Sequence, residues 1–225
     1  MKKKTILIIV ICVLAILIIG GSIYYFGFYR NQDKGNDSSI VGEQEQSKLS
    51  VVYDELTKNN LYTFTRSVDD ENNITTVISG EKGYKETIIN GQSTKYIVSD
   101  GSTYLLQENT KRYYKYDNNQ MILSEITNIL EELKNEEFQT GKEKIDGKNY
   151  KYEEYTGCQD FLINNDLYTD NESNAKTRFY YDGDELKYIK TIVGDQEELA
   201  KIEITYNADD SLFNIPADYK DAENS

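Results

Sequence analysis

The sequence predicts an α+β protein: one antiparallel sheet of about ten or eleven strands with two or three helices, preceded by one N-terminal transmembrane helix. Three features of the 225-residue chain support this prediction. Runs rich in Tyr, Thr and Ile alternate with period two, which is typical of half-buried strands. Asn-Gly and Asp-Gly pairs separate several of these runs and favour the type I′ turns of two-residue hairpins. The segment Thr5–Phe28 is almost wholly apolar and carries no charge.

The N-terminal segment favours an uncleaved membrane anchor. Thr5–Phe28 is long enough to cross a bilayer, which needs about 20 apolar residues, and Lys2–Lys4 favour a cytoplasmic N-terminus. A cleaved signal peptide is the alternative, but its apolar core spans only about 7–15 residues, whereas this run continues through Ile23–Phe26. Cys12 follows Ile11 rather than a small residue, so a lipoprotein cleavage site is not indicated.

The anchor divides the chain into five parts. Residues 1–4 are predicted to be a cytoplasmic tail, 5–28 the transmembrane anchor, 29–46 a polar and flexible tether, 47–221 an extracytoplasmic domain and 222–225 a short tail. The predicted location is therefore the cell membrane, crossed once, with the N-terminus in the cytoplasm and the domain outside.

Composition excludes several classes of function. The chain carries 39 acidic against 25 basic residues, a net charge of −14, and such a surface repels the phosphates of nucleic acids. It contains no His, which removes Ser-His and Cys-His nucleophilic pairs and imidazole metal ligands. Two Cys cannot form a disulfide framework or a thiolate zinc site. We therefore expect no metal, no cofactor and no enzymatic activity.

The first part of the domain is predicted to be a helix followed by a meander. Ser47 is a predicted N-cap, and Leu49, Val52 and Leu56 fall on one face of a helix that ends near Asn60. Six predicted strands follow, and the tight turns between them leave no room for the crossover helices of a parallel sheet. These strands are Leu61–Val68, Ile74–Ser79, Tyr84–Ile89, Thr94–Ser99, Thr103–Gln107 and Arg112–Tyr116.

A second helix and five more strands are predicted in the remainder. Met121–Phe138 has the 3.6-residue period of an amphipathic helix, and Asp160–Leu167 is a candidate short helix. The apolar stripe of the second helix consists of Ile122, Ile126, Ile129, Leu130 and Leu133. The further strands are Lys142–Ile145, Lys148–Tyr155, Thr177–Tyr181, Leu186–Val193 and Ala200–Tyr206.

This order of elements resembles the LolA/LolB-like lipoprotein-carrier superfamily. Tyr96–Leu106 is similar to that family's hairpin, in which an apolar strand leads through Ser-Asp-Gly into an aromatic strand, and Leu212–Tyr219 is similar to its closing Phe-x-x-Pro segment. Lys82 stands where carriers often have an Arg, and the Pro that often follows is absent. The resemblance implies an unclosed antiparallel β-barrel with the helices against its concave face, and an envelope lipid-binding role. The predicted anchor departs from soluble periplasmic carriers.

Candidate ligand-binding residues follow from the alternation and from this resemblance. The strand residues of each predicted pair are assigned to one face, and the apolar helix residues to the cover above them. Two interpretations stay open: an ordinary sheet–helix core, or the wall of an apolar trough for acyl chains, with Lys82 near a headgroup. The candidates are Tyr62, Phe64, Tyr96, Val98, Tyr104, Leu106, Ile126, Ile129, Leu130, Leu133 and Lys82.

The sequence thus favours an anchored domain that binds a lipid, a lipoprotein or another amphiphile without catalysis. The alternative is a structural or sensory ectodomain that binds another envelope protein and whose concave face is filled by its own helices. An apolar void under the stripe of the second helix would distinguish the two.

Overall fold

A computed structural model describes residues 46–117, 120–163 and 175–223. Within these residues twelve strands form one sheet in the order β12-β6-β5-β4-β3-β2-β1-β11-β10-β9-β8-β7. The strands are β1 Leu61–Ser67, β2 Asn73–Ser79, β3 Lys82–Ile89, β4 Gln92–Ser99, β5 Ser102–Gln107, β6 Arg112–Tyr116, β7 Gln139–Ile145, β8 Lys148–Thr156, β9 Ala175–Asp182, β10 Glu185–Val193, β11 Gln196–Thr205 and β12 Lys220–Asp221. All eleven predicted strands are present, and β12 is additional.

The sheet consists of two sequential meanders joined at their first and last strands. Strands β1–β6 form one meander and β7–β11 the other, and β1 pairs with β11 through Thr63–Ser67 and Lys201–Thr205. Every pairing is antiparallel except that of the two-residue β12 with β6. Because β12 and β7 do not pair with each other, the sheet is unclosed, as the family resemblance implied.

Tight turns set the register of the hairpins. Asp100 and Gly101 both have positive φ, 50° and 74°, which is the backbone of a type I′ turn. Asn90 and Gly91 adopt the same geometry between β3 and β4. A two-residue loop pairs the flanking residues directly, so Ser99 lies opposite Ser102.

Three α-helices occur in the described residues. Helix α1 spans Lys48–Asn59; the Ser47 side chain accepts a hydrogen bond from the Leu49 amide, and Asn60 ends the helix in the left-handed conformation. Both the N-cap and the C-terminus were predicted. Helix α2 spans Gln120–Leu123 and α3 spans Glu125–Leu133.

The single long helix predicted over Met121–Phe138 is wrong. Ser124 leaves the helical conformation, with φ −116° and ψ 2°, and separates α2 from α3. The chain after Leu133 turns and then enters β7 at Gln139, ahead of the predicted start. Residues 160–163 form a turn rather than the start of the predicted short helix, and residues 164–167 lie outside the described residues.

The main core lies between one face of the sheet and the helices. We call this face the helix face. Buried side chains of α1 and α3 pack there against those of β1, β2 and β8–β11. The largest fully buried members are Tyr62, Phe64, Tyr155, Phe161, Phe179, Leu49, Leu56, Ile78, Ile126 and Leu130.

The opposite face, called the outer face, has its own cover. The C-terminal segment forms a 3₁₀ helix at Asp210–Phe213 and packs Phe213 and Tyr219 against Val77, Ile97 and Leu106. This second core explains why the closing segment is apolar, and why the chain returns to pair β12 with β6.

No helix among residues 46–117, 120–163 and 175–223 is long and apolar enough to span a membrane. The predicted tail, anchor and tether, residues 1–45, lie outside the described residues, so their assignment stays a prediction.

Candidate functional site

The sheet register places the predicted ligand-binding residues on two different faces. Tyr62 and Phe64 belong to the helix face, and direct pairing across β2 and β3 carries that face to Val98 and Tyr96. Tyr96 then lies opposite Leu105, so the neighbouring Tyr104 and Leu106 point to the outer face. There they pack with the C-terminal cover. The two residues of each strand share one face, as expected, but the six strand residues do not form the wall of one trough.

The middle of the helix face is occupied by the protein's own side chains. Tyr62 and Phe64 pack in the same cluster as Ile126, Leu130 and Leu133. Ile129 is only partly buried against that cluster. These residues behave as an ordinary sheet–helix core, which is the first of the two interpretations that the sequence left open.

The helix face is less covered over β4–β6. Tyr96, Leu105 and Tyr114 stand directly opposite one another on these three strands and are all half-buried. We call these three residues the open row. Tyr116, on the same face one pair further along, is 49% exposed. The open row gives the sheet a partly exposed apolar and aromatic surface beside the core.

A part-buried ion pair borders the open row. Lys85 lies opposite Tyr96, and its Nζ is 2.5 Å from a carboxylate oxygen of Glu125 at the start of α3. Both side chains are largely covered. Lys82, the predicted headgroup contact, is exposed at the start of β3 instead. Lys82 and Lys85 are three positions apart in β3, so their side chains point to opposite faces of the sheet.

Gly83 permits the helices to approach the sheet beside this ion pair. A Cβ at position 83 would lie 3.0 Å from Leu123 Cδ2 and 3.5 Å from Val98 Cβ. The small residue therefore lets α2 rest directly on β3, and Val98 is buried there.

Two buried polar groups on β1 lack hydrogen-bond partners. The Tyr62 hydroxyl and the Arg66 Nε are both enclosed and have no acceptor among the described residues. Burial and the nearby carboxylate of Glu125 raise the pKa of Tyr62, so its hydroxyl stays protonated. Such groups cost free energy unless something satisfies them. Sequence reasoning selected Tyr62 as a residue of the trough wall but missed Arg66, for which a lone Arg in an apolar alternating strand was the available signal.

Glu153 fastens the N-terminus of α1 to the sheet. Its carboxylate accepts hydrogen bonds from the Lys48 amide at 2.6 Å, the Leu49 amide at 3.2 Å and the Ser47 hydroxyl at 2.9 Å. The hydroxyls of Tyr155 and Tyr181 complete this buried set at 3.2 and 3.4 Å. An anion at a helix N-terminus is favourable because free amides and the helix dipole both point to it.

Glu154, the next residue, belongs to a separate ion network on the outer face. It binds Arg178 Nε at 2.6 Å, and Glu143 binds Lys190 at 2.6 Å and Arg178 at 2.9 Å. Glu153 and Glu154 therefore face opposite sides of β8, as the alternation of a strand predicts. Burial alone would raise the pKa of Glu143, but the hydrogen bonds from Lys190 and Tyr180 outweigh it, so the carboxyl stays ionised. This network is internally satisfied, which is typical of a structural role.

Cys158 and the acidic side chains are the other candidates for chemistry among the described residues. Burial raises the pKa of the Cys158 thiol to about 12, so the thiolate that would react is scarce. Among the described residues, no three acidic or cysteine side chains are grouped to hold a metal ion.

A groove lies between α1 and the end of β11. Its volume is about 490 Å³, and its lining includes Val51, Val52, Leu186, Ile204 and Tyr206. Val51 and Tyr206 are 40% and 47% exposed. Acidic residues contribute to its rim, among them Glu55, Asp184, Glu185 and Glu203.

The fold and the open row define a class: an α+β domain built on an unclosed antiparallel sheet, with helices on part of one face.

No protein-family model matches the chain, and no curated protein matches it. Among solved structures, it is similar to an uncharacterized conserved protein from Thermus thermophilus, with a TM-score of 0.45 and 8% identity over 78% of this chain and 99% of that one. It is also similar to the lipoprotein LppX of Mycobacterium tuberculosis, with a TM-score of 0.34 and 12% identity over 69% and 93% of the two chains. Both scores are below 0.5, so function is inferred from this chain's own geometry.

Proposed function

We propose that this chain is a membrane-anchored, extracytoplasmic protein that binds an amphiphile without catalysis. The ligand would be a lipid or the acyl part of a lipoprotein, and its apolar part would lie along the open row. The observation that carries the proposal is the half-buried row Tyr96, Leu105 and Tyr114 next to a closed apolar core. Each methylene removed from water on such a surface contributes about 0.8 kcal/mol.

The location follows from the chain's N-terminus. Residues 5–28 would hold the domain at the outer side of the membrane, and residues 29–46 would give it reach over the bilayer surface. A domain tethered in this way meets amphiphiles at high local concentration.

Photocrosslinking tests the open row directly. The full-length chain in membranes is exposed to a photoactivatable fatty acid, illuminated and digested with trypsin. We expect labelling of the peptide Tyr96–Lys111, which contains two residues of the open row.

Leu105→Gln should reduce the labelling several-fold. Leu199→Gln is the matched control, because Leu199 is also half-buried in a strand but lies opposite Lys190 on the outer face. Equal labelling of both variants would refute the proposed site.

The second candidate is a structural or sensory domain with another envelope protein as partner. The closed core under α3 favours it, because Ile126 and Leu130 are fully packed where the trough was expected. The groove beside α1 supplies exposed apolar residues for a protein contact. Val51→Asp would then abolish co-purification of a membrane partner. If, in addition, the fatty acid labelled wild type with no preference for the peptide Tyr96–Lys111, this candidate would replace the first.

A further inference from the structure

Arg66 is a buried cation that has no ionic partner among the described residues. Its side chain is 2% exposed and lies on the helix face of β1, between Phe64 and the edge of the main core. It makes no ion pair with the carboxylates of the described residues. Its one hydrogen bond within that part of the chain runs from Nη1 to the neutral carbonyl oxygen of Asp160, at 3.2 Å. Its Nε is buried and has no acceptor there.

The surroundings hold the guanidinium in place without neutralising it. The ring of Phe161 lies against it, with 5.4 Å from Cζ to the ring centroid. Burial lowers the pKa of Arg66, and the more distant carboxylates of Glu125, Glu198 and Asp160 oppose that change. Arginine remains charged in proteins, so a full positive charge is enclosed here. Enclosing an unpaired charge is costly, and a bound anion would offset that cost.

A shallow cavity opens on the same face and at the same level of the sheet, on β3 and β4, two strands away from Arg66. Arg66 lies opposite Ile74, which lies opposite Thr87, which lies opposite Thr94. Thr87 and Thr94 line a cavity of about 260 Å³ together with Ile89, Asn90 and Gln92. This lining has hydroxyl and amide groups and no acidic side chain, so it does not repel an anion.

The cavity ends on β4 next to the open row, because Thr94 lines it and Tyr96 is the next residue of that strand on the same face. Along β4 the residues on the helix face are Thr94 and then Tyr96, so hydroxyl-bearing and apolar surfaces follow each other on one strand. This order of surfaces matches a molecule with a polar head and an apolar tail.

We propose that Arg66 binds an anionic oxygen group, a carboxylate in the simplest case, as the headgroup of the amphiphile. This inference rests on the proposed function for the ligand's apolar part. The same chemistry could come from a free small anion, so the probes must separate the two sources. A charge-assisted hydrogen bond at a buried guanidinium is strong enough to change affinity about tenfold.

Three probes and three variants test the assignment. The full-length chain is placed in phosphatidylcholine nanodiscs and equilibrated by dialysis with labelled decanoate, decanol or acetate, with empty nanodiscs as the blank. The variants are Arg66→Met, Arg66→Lys and Arg112→Met. Arg112 also lies on the helix face but is exposed, so it controls for loss of charge alone.

We expect wild type to bind decanoate about tenfold more tightly than decanol, and Arg66→Met to lose that preference. Arg66→Lys should keep part of it, and Arg112→Met all of it. Urea unfolding should show Arg66→Met at least as stable as wild type without ligand, because an unpaired buried charge has been removed. A structural arginine would instead give a destabilised variant with unchanged preference, which would overturn the inference.

The other outcomes separate the two proposals. Equal binding of decanoate and decanol by wild type overturns the anion site and leaves the amphiphile function standing. Binding of acetate that Arg66→Met abolishes, with no binding of either amphiphile, keeps the anion site and overturns the amphiphile function. No binding of any probe overturns both.

Discussion

Glu153 and Glu154 are neighbours in β8 whose carboxylates have opposite surroundings. One accepts amide protons from the start of α1, and the other forms ion pairs on the outer face. Strand alternation predicted the opposite faces, because successive side chains of a strand point to opposite sides. It could not predict the partners, since Ser47 and Lys48 are more than 100 positions away in the chain. Arg66 was missed for the same reason. Its Nε is buried without an acceptor among the described residues, and that depends on which distant segments pack around it.

Replacing Glu153 by Gln should weaken the attachment of α1 to the sheet. The amide keeps the shape but presents donors to the Lys48 and Leu49 amides and loses the charge that favours a helix N-terminus. We expect the free energy of unfolding to fall by about 1.5–3 kcal/mol, the range for hydrogen bonds to a charged group. Urea titration followed by circular dichroism measures it. Glu81→Gln, in an exposed turn, should leave the midpoint unchanged, and an equal loss in both variants would contradict the assignment.

At the scale of elements, the hairpins were predictable and the second helix was not. The Asp100-Gly101 turn even contained the register: a two-residue loop places Val98 opposite Thr103 and Tyr96 opposite Leu105. The same register places Tyr104 and Leu106 on the face opposite to that of Tyr96 and Val98. The break at Ser124 has no such local signal. It arises where α2 rests on Gly83 while Glu125 pairs with Lys85, both of which are tertiary contacts.

Helix α3 gives a graded test of its role as a core element. Leu130 is fully buried, whereas the adjacent Ile129 is only partly buried against the same cluster. Leu130→Ala should reduce the free energy of unfolding by about 2–5 kcal/mol, since it removes packed methylenes and leaves a cavity. Ile129→Ala should cost clearly less. Thermal and urea unfolding of both variants measure the difference, and a small loss for Leu130→Ala would identify α3 as a movable cover instead.

For the whole molecule, the decisive contact is the pairing of β1 with β11. Each meander could be predicted from its turns, but residues 63–67 meet residues 201–205 only after most of the chain has been made. This junction turns two meanders into one wide sheet and creates a helix face too broad for α1 and α3 alone. The open row is therefore a consequence of topology, and of strand order in particular, rather than of any local motif.

The side of the membrane on which this domain lies can be measured against an unreactive background, because Cys12 falls within the predicted anchor and Cys158 is buried. Cys158 is 3% exposed and burial raises the pKa of its thiol to about 12, so a maleimide should react with it very slowly in the folded protein. Thr110→Cys places a thiol in the exposed loop between β5 and β6. A membrane-impermeant maleimide added to intact cells should label Thr110→Cys and leave wild type unlabelled.

Denaturing wild type in urea after lysis should expose the Cys158 thiol and allow it to be labelled. Labelling of Thr110→Cys only after the cells are permeabilised would place the domain in the cytoplasm and refute the predicted orientation.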